Sequence, residues 1–238
     1  YVDPLGGEPT LPHGLAVQWT DAEGARHTRV LELGGVKTVV FYGRYPVAEI
    51  QYEDPELPFT VRLEVFSPFL PHHAADSGLP LVYFSLELYQ SGKEAVEVTC
   101  LHWLGAPPVS GNAVSPRLLE QPVRGLLPMA EGVPEGLGLG VRGPGATVAS
   151  LREPVEGVAS SGGASEGVMV QRTVTLEPQK ELSVDFLLGW YLPEIGDGGG
   201  QRGYADVVAS IDDLLRYGDF EWERLASETR LWRKVWYA

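Results

Sequence analysis

FYGRYPVAEIQYEDPELPFTVRLEVFSPFLPHHAADSGLP, Phe41–Pro80, is the stretch on which the reading of the fold turns. Within it, Thr60–Phe66 puts Val61, Leu63 and Val65 on one face and Arg62 and Glu64 on the other, the period of two expected of a half-buried strand. Just upstream, Glu53-Asp54-Pro55-Glu56-Leu57-Pro58 reads as a turn, because proline fixes φ and the Asp54 carboxylate can accept from its own backbone. Val36–Tyr42 is β-branched and aromatic and runs into Gly43, so a further strand precedes the turn. Asp76-Ser77-Gly78 reads as a turn stabilised by its side chains before a strand that starts near Leu81.

The same period extends outward from this stretch. Leu15–Trp19 and His27–Leu33 flank Asp21-Ala22-Glu23-Gly24, a hairpin pattern. Val82, Phe84, Leu86 and Leu88 alternate with Tyr83, Ser85, Glu87 and Tyr89, and Gln90–Lys93 turns the chain into a strand over Ala95–Leu104. Val168–Leu176 and Glu181–Trp190 read as a second hairpin closed by Glu177-Pro178-Gln179-Lys180. Ala106–Gly145 is rich in glycine and proline and reads as long loops, with short strands expected near Leu137–Val141 and Ala146–Leu151 and a hairpin tip at Ser160–Ser165. Many strands with no helix between them predict a mainly β fold, a large antiparallel β-sandwich of supersandwich type, over residues 1–200. After the glycine-rich Gly196–Gly203 the period changes to that of a helix. Tyr204, Val207, Val208, Ile211, Leu214 and Leu215 share one face, Gly218 interrupts, and Trp222, Leu225, Thr229, Trp232 and Trp236 form a second stripe. Residues 203–238 are therefore expected to be helical. Their aromatic stripe needs a partner surface, either the sandwich itself or a further domain.

Composition narrows the classes of function. The chain has 238 residues, enough to bury roughly 70% of its unfolded surface without covalent staples. A net charge of −14 repels phosphate backbones, so no nucleic-acid partner is expected. Cys100 is the only cysteine, which excludes an internal disulfide and a cysteine-rich metal site, and its apolar surroundings read as a buried, inert thiol. No stretch reaches the ~20 apolar residues of a membrane helix, so no membrane span is expected. The first residues have no basic, apolar and cleavable pattern, which makes a cytoplasmic location the expectation. A start at Tyr1 rather than methionine reads as a cut from a longer chain.

Chemistry-bearing motifs have ordinary readings. Gly138-Leu139-Gly140-Val141-Arg142-Gly143 matches the spelling of a dinucleotide-binding loop, but Pro144 and Gly145 follow and no helix opens there. His72-His73 are adjacent and point apart, and Asp197 lacks further acidic ligands at alternating positions, so neither metal nor cofactor is expected. Glu49, Glu53, Asp54, Glu56 and Asp76 are the densest set of carboxylates, and most of them sit in turns. No serine lies in a G-x-S-x-G turn. Tyr83, Tyr89 and Trp103 could stack on a sugar, or form the core under a covering layer.

The order of motifs resembles the N-terminal β-sandwich domain of glycoside hydrolase family 116, the bacterial β-glucosidases and non-lysosomal glucosylceramidases. The residues that carry the resemblance are Gly43-Arg44-Tyr45-Pro46, Glu53–Pro58, Glu64–Pro71, Asp76-Ser77 with Leu79-Pro80, and Phe186–Tyr191 with Pro193. Glu223-Arg224-Leu225, Glu228–Leu231 and Trp236-Tyr237-Ala238 resemble the family's linker helix. Gly78 stands where the family commonly has serine, and His72-His73 replace its usual residues. The resemblance implies a sandwich that precedes an (α/α)6 barrel holding both the glutamate nucleophile and the aspartate acid/base. It implies retaining hydrolysis of a β-glucosidic bond, with no catalytic residue in these 238 residues and no activity of the chain alone. Trp222, Trp232 and Trp236 would then face the catalytic domain, and the β-glucoside would be met only indirectly. The rival expectation is an independent carbohydrate-binding module.

Overall fold

In the computed structural model, residues 13–105, 115–129, 133–151, 167–194 and 200–237 are described. The chain runs through β1 (His13–Thr20), β2 (Arg26–Val30), β3 (Thr38–Arg44), β4 (Val47–Glu53) and β5 (Thr60–Phe66). A single turn of helix, α1 (Ala74–Ser77), precedes β6 (Leu81–Tyr89) and β7 (Val96–Gly105). Then come β8 (Arg117–Glu120), β9 (Val123–Pro128), β10 (Gly136–Val141), β11 (Ala146–Ser150), β12 (Gly167–Leu176) and β13 (Glu181–Tyr191). A 3-10 turn at Gly203–Asp206 leads to helices α2 (Ile211–Phe220) and α3 (Trp222–Trp236).

Among the described residues every strand pair is antiparallel, in two sheets. One has five strands in the order β11-β12-β7-β1-β2, the other eight in the order β3-β4-β5-β6-β13-β10-β9-β8. The apolar faces read from the period of two meet between the sheets. Val17, Leu63, Leu86, Leu88, Val98, Cys100, Val170 and Phe186 are all essentially inaccessible there. The first hairpin forms as expected, with Asp21 Oδ1 accepting from Ala25 N at 2.8 Å across the turn.

The second expected hairpin does not form. β12 pairs with β7 and β11 in the five-stranded sheet, whereas β13 pairs with β6 and β10 in the eight-stranded one. Glu177–Lys180 is thus an arch between the sheets, and it lies against the arch between β6 and β7. Gln179 N donates to Gln90 O at 2.8 Å, and Gln90 N donates to Lys180 O at 3.0 Å. A short turn of Pro, Gln and Lys between two alternating strands is spelled alike whether the chain turns back beside itself or crosses the core. The choice is made by the partners of the strands, which are distant in sequence.

Two short strands, β8 and β9, occupy the region read as loops. Gly125, Pro122 and Pro128 break the alternation that would have marked them. The hairpin tip expected at 160–165 lies outside the described residues, as do residues 196–199 of the glycine-rich 196–203 segment.

The helical period is right in its faces but not in its boundaries. α2 starts at Ile211 because Ser210 caps it: Ser210 Oγ accepts from Asp213 N at 3.1 Å, while Asp213 Oδ2 accepts from Ala209 N at 3.0 Å. Gly218 does not interrupt the helix. It lies inside α2, where a Cβ would come 2.7 Å from Leu81 Cδ1 and 3.0 Å from Leu187 Cδ2. The missing side chain lets α2 settle onto β6 and β13, and the Tyr83 hydroxyl donates to Gly218 O at 3.1 Å. A second apolar layer results on the outer face of the eight-stranded sheet, where Phe66, Leu81, Tyr83 and Leu187 pack under Leu214, Leu215, Trp222 and Leu225.

His102 of β7 is fully buried between the sheets, edge-on to Phe84 and Phe186 at 4.8 and 5.6 Å, with His13 at 6.1 Å. Neither ring nitrogen has a partner among the described residues. Burial pushes its pKa down to about 3, against an ordinary 6.5. The folded protein therefore holds it neutral while the unfolded chain takes up a proton below pH 6.5, so stability falls as the pH drops from there. His102→Leu is expected to flatten the loss of stability between pH 6.5 and 4.5, measured by urea unfolding at both values. An unchanged slope would show that the imidazole is not the titrating group.

Candidate functional site: the carboxylate face under the C-terminal helix

The outward side chains of β4, β5 and β6 include Glu49, Glu64 and Glu87, and α3 lies across them. A helix whose Arg224, Arg230 and Arg233 flank its buried stripe can reach carboxylates on both sides of it with charged donors. Arg230 Nε donates to Glu64 Oε2 at 2.9 Å, and Arg233 reaches Glu64 Oε1 at 3.1 Å and Glu49 Oε2 at 3.0 Å. Arg224 takes Asp76 with two nitrogens, at 2.9 and 3.3 Å, and the Tyr217 hydroxyl donates to the same carboxylate at 2.9 Å. Arg62 joins Glu87 and lies 3.7 Å from Glu49. Arg142 donates to Asp219 at 2.9 Å and stands 5.0 Å above the Trp222 ring, while Ser85 donates to Asp185 at 2.7 Å.

These contacts set the charges. The hydrogen bonds from Arg224 and Tyr217 hold the Asp76 carboxyl below its ordinary value against the opposing effect of burial. Burial pushes Glu49 up, but the bonds from Arg233 and Gln51 outweigh it and leave it lowered. Burial dominates at Glu87 and Asp185, and both are raised. Each of these carboxylates is engaged by an arginine, a serine or both. The arrangement holds a helix on a sheet rather than offering a free acid and base.

The sequence candidates fall as follows. Asp54 Oδ1 accepts from Glu56 N at 2.9 Å, the turn expected of it, and Arg29 of β2 pairs with both Asp54 and Glu56. Glu53 is exposed at the end of β4. Asp76 differs from expectation: Ser77, not Asp76, ties the turn, exchanging bonds of 2.9 and 3.0 Å with Leu70, while Asp76 turns inward to Arg224. An S-x-x-D cap at Ser210 and arginines on both flanks of the apolar stripe of α3 were the available signals for this layer. His72 and His73 are exposed, and no group of three or more His, Cys, Asp or Glu among the described residues is placed to hold a metal. Gly138 and Gly140 lie in a strand, β10, so the glycine motif opens no helix. Cys100 is wholly buried, which pushes its thiol up to about 12. Asp197 lies outside the described residues.

The aromatics divide sharply. Tyr83 and Trp103 are buried, and Tyr89 is partly exposed. Trp222, expected at a partner surface, is 3% exposed and meets Tyr83 edge-on at 4.5 Å, so its partner is the sandwich itself. Trp232 is half-buried. Trp236 is 55% exposed and rests on Tyr45 and Phe69, at 5.4 and 6.1 Å, and Leu231 and Val235 of α3 are exposed as well. At the opposite end of β3–β5 a cleft of about 470 Å³ opens between Lys37, Tyr52, Glu53 and Phe59. A second, of about 420 Å³, lies between Arg62, Glu87 and Tyr89. No described helix is long and apolar enough to cross a membrane.

Arg224→Met removes the donors to a buried carboxylate. The full cost of breaking a buried pair is about 3–5 kcal/mol, and the partly exposed arginine lowers the expectation to about 1–2 kcal/mol. Because the Asp76 pKa is depressed in the fold, this contribution is present above the ordinary carboxylate range and is lost as the pH falls through it. The variant is expected to lose stability at pH 7 and to converge on the parent in strong acid, measured by denaturant unfolding. An equal deficit at every pH would show that packing, not charge, holds Arg224.

No curated protein matches the chain. Among solved structures it is similar to a protein described as a kojibiose phosphorylase from the human microbiome, with a TM-score of 0.49 and 10% identity over 92% of this chain and 27% of that one. It is also similar to a mutant of the heparan sulfate lyase HepC from Pedobacter heparinus, with a TM-score of 0.39 and 11% identity over 66% of this chain and 22% of that one. The chain thus spans about a quarter of the length of either structure. Residues 12–115 match the family described as beta-glucosidase 2, glycosyl-hydrolase family 116 N-term, a span that takes in β1 to β7 with the acidic turn and the Asp76 loop. Those residues are less than half of the 238, and over them the chain is similar to the N-terminal domain of the family 116 glycosyl hydrolases.

Proposed function

We propose that this chain is the non-catalytic sandwich of a retaining β-glucosidase or glucosylceramidase-like glycoside hydrolase, and that it packs on and shapes a separate catalytic barrel. The observation that carries the reading is the arginine lock. A retaining glycosidase needs two carboxyls about 5–5.5 Å apart, one free to attack and one free to donate a proton. Here Glu49, Glu64 and Asp76 are spent in holding α3. The family match supports the class of enzyme, and the cytoplasm is the location proposed for it.

The docking surface proposed is the exposed end of α3 with its aromatic neighbours. Trp236, Tyr45 and Phe69 form an aromatic cluster, and Leu231 and Val235 leave a second side of the helix end apolar and exposed. Trp232 stands near its edge, whereas Trp222 contributes only by anchoring the helix from below. The rival reading, a sugar-binding sheet face, loses two of its three aromatic platforms to burial, since Tyr83 and Trp103 are covered.

The chain alone is expected not to hydrolyse aryl β-glucosides, and to associate with a separately expressed catalytic domain of a family 116 β-glucosidase. Trp236→Ala with Tyr45→Ala should weaken that association by about tenfold or more, as for the loss of aromatic anchors, measured by calorimetry. Turnover by the pure chain that Glu53→Gln or Asp76→Asn abolishes would overturn the reading, as would association that ignores the aromatic pair.

A further inference from the structure

β3 closes one side of the eight-stranded sheet, so one edge of its backbone is unpaired among the described residues. The other strands that end a sheet are blunted. β2 carries Arg26 and Arg29, β8 is four residues long with Arg117 and Glu120, and β11 has five residues and no aromatic. β3 has seven residues, and Thr38-Val39-Val40-Phe41-Tyr42 contains neither a charge nor a proline. A long apolar edge without such devices is a template for another strand.

The register with β4 places its side chains. Val39 stands opposite Tyr52 and packs on the core between the sheets, so Phe41 and Gly43 share that inner face. Thr38, Val40, Tyr42 and Arg44 share the outer face with Glu53, Gln51 and Glu49. Phe41 is nonetheless 65% exposed, so the five-stranded sheet leaves it uncovered, and Tyr42 is 37% exposed. The Phe41 ring leans along its own strand: a Cβ on Gly43 would come 2.9 Å from its Cε1.

An antiparallel second copy of β3, centred on Phe41, fits this edge. Phe41 then faces its own equivalent, Val39 faces Gly43 and Val40 faces Tyr42, which brings apolar groups together on both faces. Arg44 faces Thr38 of the other copy, whose neighbour on β4 is Glu53. Arg44 and Glu53 are exposed, and neither makes an ion pair with a described residue. The strands that carry them would lie about 10 Å apart, twice the spacing of paired strands. Two long side chains span that gap across the short Thr38. Opposite charges thus meet twice, once on each side of the twofold axis, as an isologous contact requires.

We propose that β3 is a self-association edge, through which two copies of this chain join their eight-stranded sheets into one continuous sheet. The contact is one strand per copy, and each copy has a net charge of −14, so the dimer is weak and depends on concentration. The two Tyr45 residues would stand roughly 25 Å apart along the paired strands, which leaves both α3 ends free for the docking proposed above.

The test is sedimentation velocity on the 238-residue chain over a range of concentrations, with a monomer–dimer equilibrium expected. Phe41→Lys sets two ammonium groups against each other and should raise the dissociation constant about tenfold or more. Its unfolding midpoint should not change, because the side chain is already exposed. Arg44→Glu should weaken the dimer several-fold, and Arg44→Glu with Glu53→Arg should restore it, which a loss of fold would not. Phe41→Cys reads the register. Opposed Cα atoms would stand about 5 Å apart, within reach of a disulfide, so mild oxidation should link two copies. The equivalents in Tyr42→Cys would lie roughly 8 Å apart and should not link. Cys100 is buried and does not compete.

A monomer at every concentration, a dimer indifferent to Phe41→Lys, or linkage of Tyr42→Cys in preference to Phe41→Cys would overturn the inference. Were the chain monomeric and Phe41→Lys to abolish association with the catalytic domain, the barrel would be the occupant of this edge instead. Trp236→Ala should leave the dimer intact, so docking of the barrel and pairing of copies are read separately.

Discussion

Two arches crossing the core side by side are the constraint on which the rest of the structure depends. β6 and β13 are adjacent in the middle of the eight-stranded sheet, and β7 and β12 are adjacent in the five-stranded one. Because both turns cross between the sheets at the same end, the bonds between Gln90, Gln179 and Lys180 fix the two sheets relative to each other. Sheets packed face to face owe their spacing to interdigitating side chains, whose hold is not directional. The arches add direction: they decide which end of β6 lies over which end of β7. Every other strand then adds to one side of this four-strand centre.

The outer layer follows from the same centre. β6 and β13 present Tyr83 and Leu187 away from the core, and a sheet with apolar groups on both faces needs a cover on each. α2 and α3 supply it on the outside, apolar where they cross the middle of the sheet and ionic where α3 runs out over β4 and β5. The grading matters for energetics. Trp222 and Leu225 gain from burial, whereas Arg230 and Arg233 chiefly prevent the cost of leaving Glu64 and Glu49 buried without partners. The arginines therefore fix where the helix lies more than how tightly it is held.

The sequence showed the strands of Thr60–Phe66 and Leu81–Tyr89 clearly, because one face of each is continuously apolar and the other is broken by polar groups, Arg62 and Glu64 in the first and Ser85 and Glu87 in the second. It did not show β8 and β9, where glycine and proline hide a two-residue period. Nor could it tell the arch at Pro178 from a hairpin, since that difference lies in pairings with strands about a hundred residues away. The site was legible only in its parts. Glu49, Asp76 and Arg224 each stood out, yet nothing local says that Asp76 turns inward or that Glu64 meets two arginines. Trp222 and Trp236 share one helical stripe, but the sheet ends beneath the second, so one is core and the other surface.

The reach of α3 across the chain also shapes how the protein comes to be folded. Arg224 meets Asp76, and Arg233 meets Glu49, across separations of 148 and 184 residues. Closing such long loops before any reward is gained makes the pairings slow to form. On a ribosome the strands around Tyr83 and Leu187 would emerge well before the helix that covers them, leaving an apolar sheet face open in the interval. Glu49, Glu64 and Glu87 lie on that same face. Before α3 arrives only Arg62 stands on that face to offset them, and the remaining charge disfavours stacking of nascent copies through the uncovered sheet. The charges that later fasten the helix thus first serve as guards against aggregation.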